Sequence, residues 1–276
     1  MNAKVLMIAG MHRSGTSVVA QWLQKCGLFI GGHLLGAGIG NSQGHFEDAD
    51  FLAVHEKLLR KHHLVDTGFI NRSVSGLTEK DRDELRLLLA DKCSKNAEWG
   101  WKEPRTCLFL NEYGKLLPHA FYMIVVRNYN DTVNSLVMRD YRMIRIKGET
   151  KRGVKKIFWK LFKQKSLEQL FKQKAEKYLK VWIHYNEEIL NHVSLLPGEK
   201  YVIVNFSQLL FDDESVLATC TDEWNFSLDY YPFRKIYNEH FLSGINEVDK
   251  YIRNKSLVER AKHLQERLRL KYGVKM

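Results

Sequence analysis

The strongest constraint on the fold sits near the N-terminus. Lys4 to Ala9 is a short aliphatic run, followed at once by Gly10-Met-His-Arg-Ser-Gly15-Thr16-Ser17, and then by Val18, Val19, Trp22, Leu23 and Cys26 at helical spacing. An apolar run this short, closed by glycine, reads as a buried strand, and the spacing after it predicts a helix from about Ser14 to Lys25. In a strand, tight loop and helix of this kind, backbone N–H groups converge at the positive helix end, so the loop is a candidate anion site. Its spacing nearly matches the G-x-x-x-x-G-K-[ST] loop of nucleotide triphosphatases, but Thr16 stands where that loop has lysine. Without that lysine, and without an evident acidic strand end for Mg²⁺, transfer of a terminal phosphoryl group lacks its main stabilising charges. Arg13 offers a cation on the other side of the loop.

The same alternation continues along the chain. Leu28–Ile30, Trp99–Trp101, Ala120–Val126 and Tyr201–Asn205 are strand candidates, and helical patterns run over Asp50–His62, Thr78–Lys95, Leu167–Asn191 and Val248–Tyr272. Thr78-x-x-Asp81 has the form of a capping box. Strands alternating with helices imply an α/β architecture. The expected fold is three-layered and P-loop-like: one domain over 1–276, a central parallel sheet flanked by helices, and a basic helical insertion at about 140–195. Arg13, Lys102, Arg127 and Phe206 all fall at C-terminal ends of the expected strands, the edge at which open α/β sheets bind ligands.

Composition narrows the class. The 276 residues are 45% hydrophobic and 27% charged, as in ordinary globular proteins, and no apolar run reaches the roughly 18 residues of a membrane span. The N-terminal apolar run meets His12 and Arg13 without a cleavage site, so no secretion signal is expected. Cys26, Cys93, Cys107 and Cys220 show neither zinc spacing nor a disulfide framework, which fits a reducing cytoplasm. Between Arg142 and Lys180, fourteen Lys and Arg face three Glu, an excess equal to the whole formal charge of +11. This stripe, rich in interleaved aromatics, reads as a membrane-surface helix around 151–180, as a polyanion-binding face, as a nucleic-acid contact, or as a solvated helix packed by its apolar side. No nucleic-acid-reading motif is present.

A second anion site is suggested by Val125-Val-Arg127-Asn-Tyr-Asn-Asp-Thr-Val-Asn-Ser135, where Arg127 ends a strand and Ser135 lies about a turn into the next helix. Together, His12-Arg-Ser-Gly-Thr-Ser17, Gly44-His-Phe-Glu-Asp48, Trp99-Gly-Trp-Lys-Glu-Pro-Arg-Thr106 and Arg127 with Ser135 resemble the sulfotransferases that use 3′-phosphoadenosine 5′-phosphosulfate, PAPS. The likeness is to a bacterial branch related in pattern to carbohydrate and tyrosylprotein sulfotransferases. It covers the first half strongly, and beyond about residue 140 only Val202–Leu210 resembles the family, with Phe206 where its pattern has Tyr. The resemblance implies that Arg13, Ser14, Gly15, Thr16 and Ser17 hold the 5′-phosphosulfate, Arg127 and Ser135 the 3′-phosphate, and that Phe206 lies near the adenosine, with no metal.

Sulfuryl transfer requires an in-line acceptor, neutralised equatorial oxygens and a stabilised leaving group. Arg13 and Lys102 supply charge, and Trp99, Trp101 and Pro104 are expected to wall Lys102 into a dry pocket. An acceptor hydroxyl must lose its proton during attack, and the candidate bases are His45, Glu47, Asp48 and Glu103. Glu47 is favoured, with His45 second; Asp48 reads as a helix N-cap and Glu103 as a structural partner of Lys102 or Arg105. The acceptor is expected to be a hydroxyl on a carbohydrate or glycolipid, including a polyanionic or membrane-presented saccharide drawn to the basic stripe. Two alternatives remain: a sugar or nucleoside kinase with a degenerate phosphate loop, and a non-catalytic polyanion-binding module.

Overall fold

Four strands build the sheet: β1 (Lys4–Ala9), β2 (Glu98–Lys102), β3 (Phe121–Val126) and β4 (Tyr201–Asn205). They appear in a computed structural model of the chain that describes residues 3–36, 44–149, 154–237 and 247–271. All pairings are parallel, in the order β2-β1-β3-β4, with Ile8 opposite Lys102, Ala9 opposite Ile124 and Val126 opposite Asn205. Parallel neighbours require crossovers, and helices supply them: α1 (Thr16–Lys25), α2 (Ala49–Lys61) and α3 (Glu79–Lys95) between β1 and β2, α4 (Leu110–Leu116) before β3, and α5 (Tyr129–Glu149) and α6 (Val154–Val193) before β4, while α7 (Phe206–Phe211), α8 (Asp213–Ala218) and α9 (Lys255–Arg269) follow the last strand.

Because successive strand residues point to opposite faces, the sheet sorts its side chains into two cores. Val5, Met7, Ala9, Trp99, Trp101, Tyr122 and Ile124 belong to one, together with residues of α2 to α6 and α9. Leu6, Ile8, Met123, Val125, Val202 and Val204 belong to the other, with residues of α1, α7, α8 and the segment from Trp224 to Ile236. The structure is therefore the expected three-layered α/β fold. The helical segment expected around 140–195 is the end of α5 and α6. The C-terminal half of α6 is part of the core itself, through Phe171, Tyr178, Leu179, Trp182, Tyr185 and Ile189.

Two local expectations are corrected. Leu28–Ile30 forms no strand: Gly27 and Gly31 take positive φ on either side, and Gly100 N–H donates to Phe29 O at 2.8 Å, one bond on the outer edge of β2 instead of a ladder. The C-terminal pattern is broken into a short helical turn, Val248–Tyr251, and α9. Asn254 makes the break, because its side chain accepts from Leu257 N–H as the N-cap of α9. The capping box at α3 is present, with Thr78 and Asp81 exchanging hydrogen bonds. Among the described residues no helix is long and apolar enough to cross a membrane.

Candidate functional site

The loop between β1 and α1 opens over the C-terminal edge of the sheet. Gly10 has no alternative there: a Cβ would lie 2.4 Å from Val125 O and 2.7 Å from Thr16 Cγ2. Gly15 caps α1 with φ 100°, and no side chain caps this helix, so its first N–H groups stay directed at the loop. Ser14 does not serve as a cap; its hydroxyl donates to Met11 O at 2.7 Å, inside the turn.

Arg13 also occupies the left-handed region, with φ 70°. For a non-glycine residue this is a strain of about 1 to 3 kcal/mol that persists only where other contacts over-determine it. Two such contacts are present. Arg13 Nε donates to Ser135 Oγ on α5 at 2.9 Å, and Arg127 Nη1, just past β3, donates to Arg13 O at 3.3 Å. Ser135 is thus joined to Arg13, and the two anion sites read separately from the sequence are one continuous surface.

That surface is crowded with cations. Burial, then the charges of Arg139, Arg127 and Arg142, lower the Arg13 guanidinium to about 10. Burial also lowers Arg127, against the pull of Asp131, which lies 3.7 Å away. Mutual repulsion among half-buried guanidinium groups is relieved by an anion, so the arrangement fits a phosphate or sulfate group.

The second half of the site lies across β1. Lys102 is 1% exposed, and Ser17 Oγ and Lys102 Nζ converge on one oxygen, the His45 carbonyl, at 3.0 and 2.8 Å. Lys102 also donates to Glu47 Oε1 at 2.8 Å. Burial lowers the Lys102 ammonium from its ordinary value, and Glu47 opposes that shift. Burial likewise lowers the His45 imidazole, with Glu47 opposing and Lys102 and Arg13 adding to the effect. The expected tryptophan wall is not there. Trp99 and Trp101 alternate with Lys102 along β2, so they point to the opposite face, where Trp101 stacks on Phe51 at 4.3 Å.

Asp48 is the N-cap of α2, accepting from Asp50 N–H at 2.9 Å, and it also pairs with Lys92 at 2.7 Å. Glu103 is fully buried and accepts from the Arg105 backbone and guanidinium while bonded to His55 Nδ1 at 2.6 Å. Burial alone would raise its carboxyl, but the His55 bond and Arg105 hold it down to about 2. Phe206 opens α7 at the end of β4 as expected, and its side chain lies outside the described residues, as do those of 147–166 within the basic stripe.

The sequence reading missed two residues. His12 stacks on Phe69 with ring centroids 4.7 Å apart, its Nε2 is buried with no hydrogen-bond partner, and burial and then Arg105 push it down to about 3, so it is neutral. The Arg139 guanidinium lies over the same Phe69 ring at 4.9 Å. Arg139 was reachable from sequence, because it follows Ser135 by four positions on one helix face; His12 opens the His12–Ser17 motif, but no local pattern gives it a role apart from that position.

With this geometry in view, comparison with solved structures is decisive for the architecture. A sulfotransferase from Mycobacterium avium superposes with a TM-score of 0.56 at 13% identity, over 96% of this chain and 77% of that one. A sulfotransferase from Alicyclobacillus acidocaldarius gives 0.51 at 14% identity over 99% and 98%. The sulfotransferase domain of a Synechococcus olefin synthase gives 0.50 at 15% identity over 99% and 96%. The fold is that of the sulfotransferases. No protein-family model and no curated protein sequence matches the chain.

Proposed function

We propose that this chain is a PAPS-dependent sulfotransferase that moves a sulfuryl group to an acceptor hydroxyl on a carbohydrate or glycolipid. The observation that carries the reading is the convergence of Ser17 and Lys102 on a single oxygen position beside the Glu47 carboxylate. The two donors meet at the His45 carbonyl with a carboxylate 2.8 Å from one of them, which brings a hydroxyl, a buried cation and a base to one place and supports a transfer by in-line attack.

PAPS, when bound, supplies the sulfuryl group and a bisphosphate leaving group. The uncapped start of α1 and the crowded guanidinium groups of Arg13 and Arg127 fit its anionic groups. In this reading Arg13, Ser14, Gly15, Thr16 and Ser17 bind the 5′-phosphosulfate, and Arg127 and Ser135 the 3′-phosphate. Phe206 borders the adenosine. Lys102 donates to the oxygens that gain charge in the transition state, and burial strengthens that interaction. Glu47 takes the acceptor proton through the carboxylate oxygen that Lys102 leaves unbonded, and His45 is the second candidate. Thr16 in place of the loop lysine weighs against terminal phosphoryl transfer from ATP.

Calorimetric titration with 3′-phosphoadenosine 5′-phosphate tests the reading, with ATP and Mg²⁺ as comparator. Micromolar binding of the bisphosphate, lost in Arg13→Ala and Arg127→Ala, is the expected outcome; preference for ATP overturns it.

A further inference from the structure

We propose that the cavity between α6 and the Tyr251–Arg253 segment that precedes α9 is the acceptor subsite, and that it selects an acceptor carrying an oxyanion, such as a carboxylate, next to its hydroxyl-bearing ring. This rests on the transferase reading given above and names the substrate class for it. The cavity measures about 560 Å³ and is lined by Lys172, Lys177, Lys180 and Arg253, with Glu176 as its one acidic residue. Phe69 and Tyr251 also line it.

The charge of this cavity is only partly compensated from within. Glu176 is already engaged, by Lys180 at 2.9 Å and by Asn254 N–H at 3.4 Å. Lys172 pairs with Glu168 at 2.7 Å on an exposed surface, where such a pair is worth little. The Arg253 backbone N–H also bonds to Glu176, and no ion pair is formed by the Lys177 or Arg253 side chain among the described residues. Lys172, Glu176, Lys177 and Lys180 recur at helical spacing along one face of α6, which at 1.5 Å per residue presents charge over about 12 Å. That length matches a sugar ring and its substituents better than a single inorganic ion.

The link to the transfer site is Phe69. One ring lines the cavity, stacks on His12 and lies under Arg139, and His12 directly precedes Arg13 in the anion loop. The turn that carries Phe69 is rigidly held. Gly68 takes φ +75° against the Arg105 side chain, Tyr185 Oη donates to Gly68 O at 2.8 Å, and Arg105 Nε donates to Asp66 O at 2.7 Å. The cavity wall and the loop are therefore parts of one packed unit. The Phe69 ring is thus common to the cavity that holds Lys177 and Arg253 and to the His12 end of the loop. The aromatic walls suit the apolar face of a sugar, and the cations suit its charged substituent.

The test uses two acceptors that differ only at one position, para-nitrophenyl β-glucuronide and para-nitrophenyl β-glucoside, on the wild type and on Lys177→Gln/Arg253→Gln. With PAPS as donor, the wild type is expected to show a KM for the glucuronide about tenfold or more below that for the glucoside, the worth of a charge-assisted hydrogen bond. The double variant is expected to erase that preference while keeping kcat on the glucoside and affinity for the adenosine bisphosphate. Equal KM values in the wild type, or a preference that survives in the double variant, overturn the subsite. If neither acceptor is sulfated although the bisphosphate binds, the glucuronide is titrated alone by calorimetry. Binding that the double variant loses then upholds the anion subsite, and absence of binding overturns it. Failure of bisphosphate binding, by contrast, removes the transferase reading.

Discussion

At the scale of single residues, the site depends on where charge is placed and how much water it has lost. Lys102 is buried beside Glu47 and shares the His45 carbonyl with Ser17, so its ammonium lies in a low-dielectric setting. Lys102→Ala and Glu47→Gln are each expected to lower turnover by about tenfold to a thousandfold, the range for lost electrostatic or general-base help. Binding of the adenosine bisphosphate should be nearly unchanged. Steady-state kinetics beside calorimetry measures this, and a variant with full turnover removes that residue from the mechanism. The conservative Glu47→Gln matters, because deleting one member of a buried ion pair can cost about 3 to 5 kcal/mol of stability. Arg13, Lys102 and Arg127 were legible as candidates because each follows or ends a strand. The bond from Arg13 to Ser135 was not, since it joins positions 122 residues apart and depends on how α5 rotates over the sheet.

At the scale of elements, local chemistry was largely readable. The capping box of α3, the N-cap at Asp48 and the strand, loop and helix around Gly10 are short-range patterns whose physics is contained in a few residues. The expected wall around Lys102 failed at this scale for an equally simple reason. Trp99, Trp101 and Lys102 are close in sequence, but strand alternation sends the two tryptophans to one face and the lysine to the other. Gly10 shows how an element couples to the site. Gly10→Ala would bring a Cβ to 2.4 Å from Val125 O of β3, a backbone atom that cannot yield cheaply. The expected cost is about 1 to 3 kcal/mol, as for overpacking, with a loss of bisphosphate affinity as the loop shifts. Thermal melting and titration of the variant measure both; a wild-type melt with wild-type affinity contradicts the close approach.

At the scale of the whole molecule, burial of histidines sets the response to acid. Burial pushes His12 down to about 3 and His192 to about 4, from an ordinary 6.5. Between those values and 6.5 the unfolded chain binds protons that the folded chain refuses, so stability falls as pH falls. Glu103, held near 2 against an ordinary 4.5, adds a loss that begins below 4.5. Urea midpoints should therefore drop steadily from about pH 7 to pH 4. His192→Gln, remote from the anion loop, should flatten that slope, and an unchanged slope would show that His192 is not among its causes.

The sequence by itself determined the class of fold and the sheet edge that carries the candidate residues. Hydrophobic periodicity and glycine spacing are local, and a parallel sheet has only one edge where its loops meet ligands. Tertiary structure decided the rest: the order β2-β1-β3-β4, which sets Lys102 beside the β1 loop and Arg127 on its other side, and the rotation of α5 and α6, which carries Ser135, Arg139 and the cationic cavity to that loop. Those placements arise from packing two cores on opposite faces of one sheet, and packing is a property of side chains distant in sequence that no local pattern records.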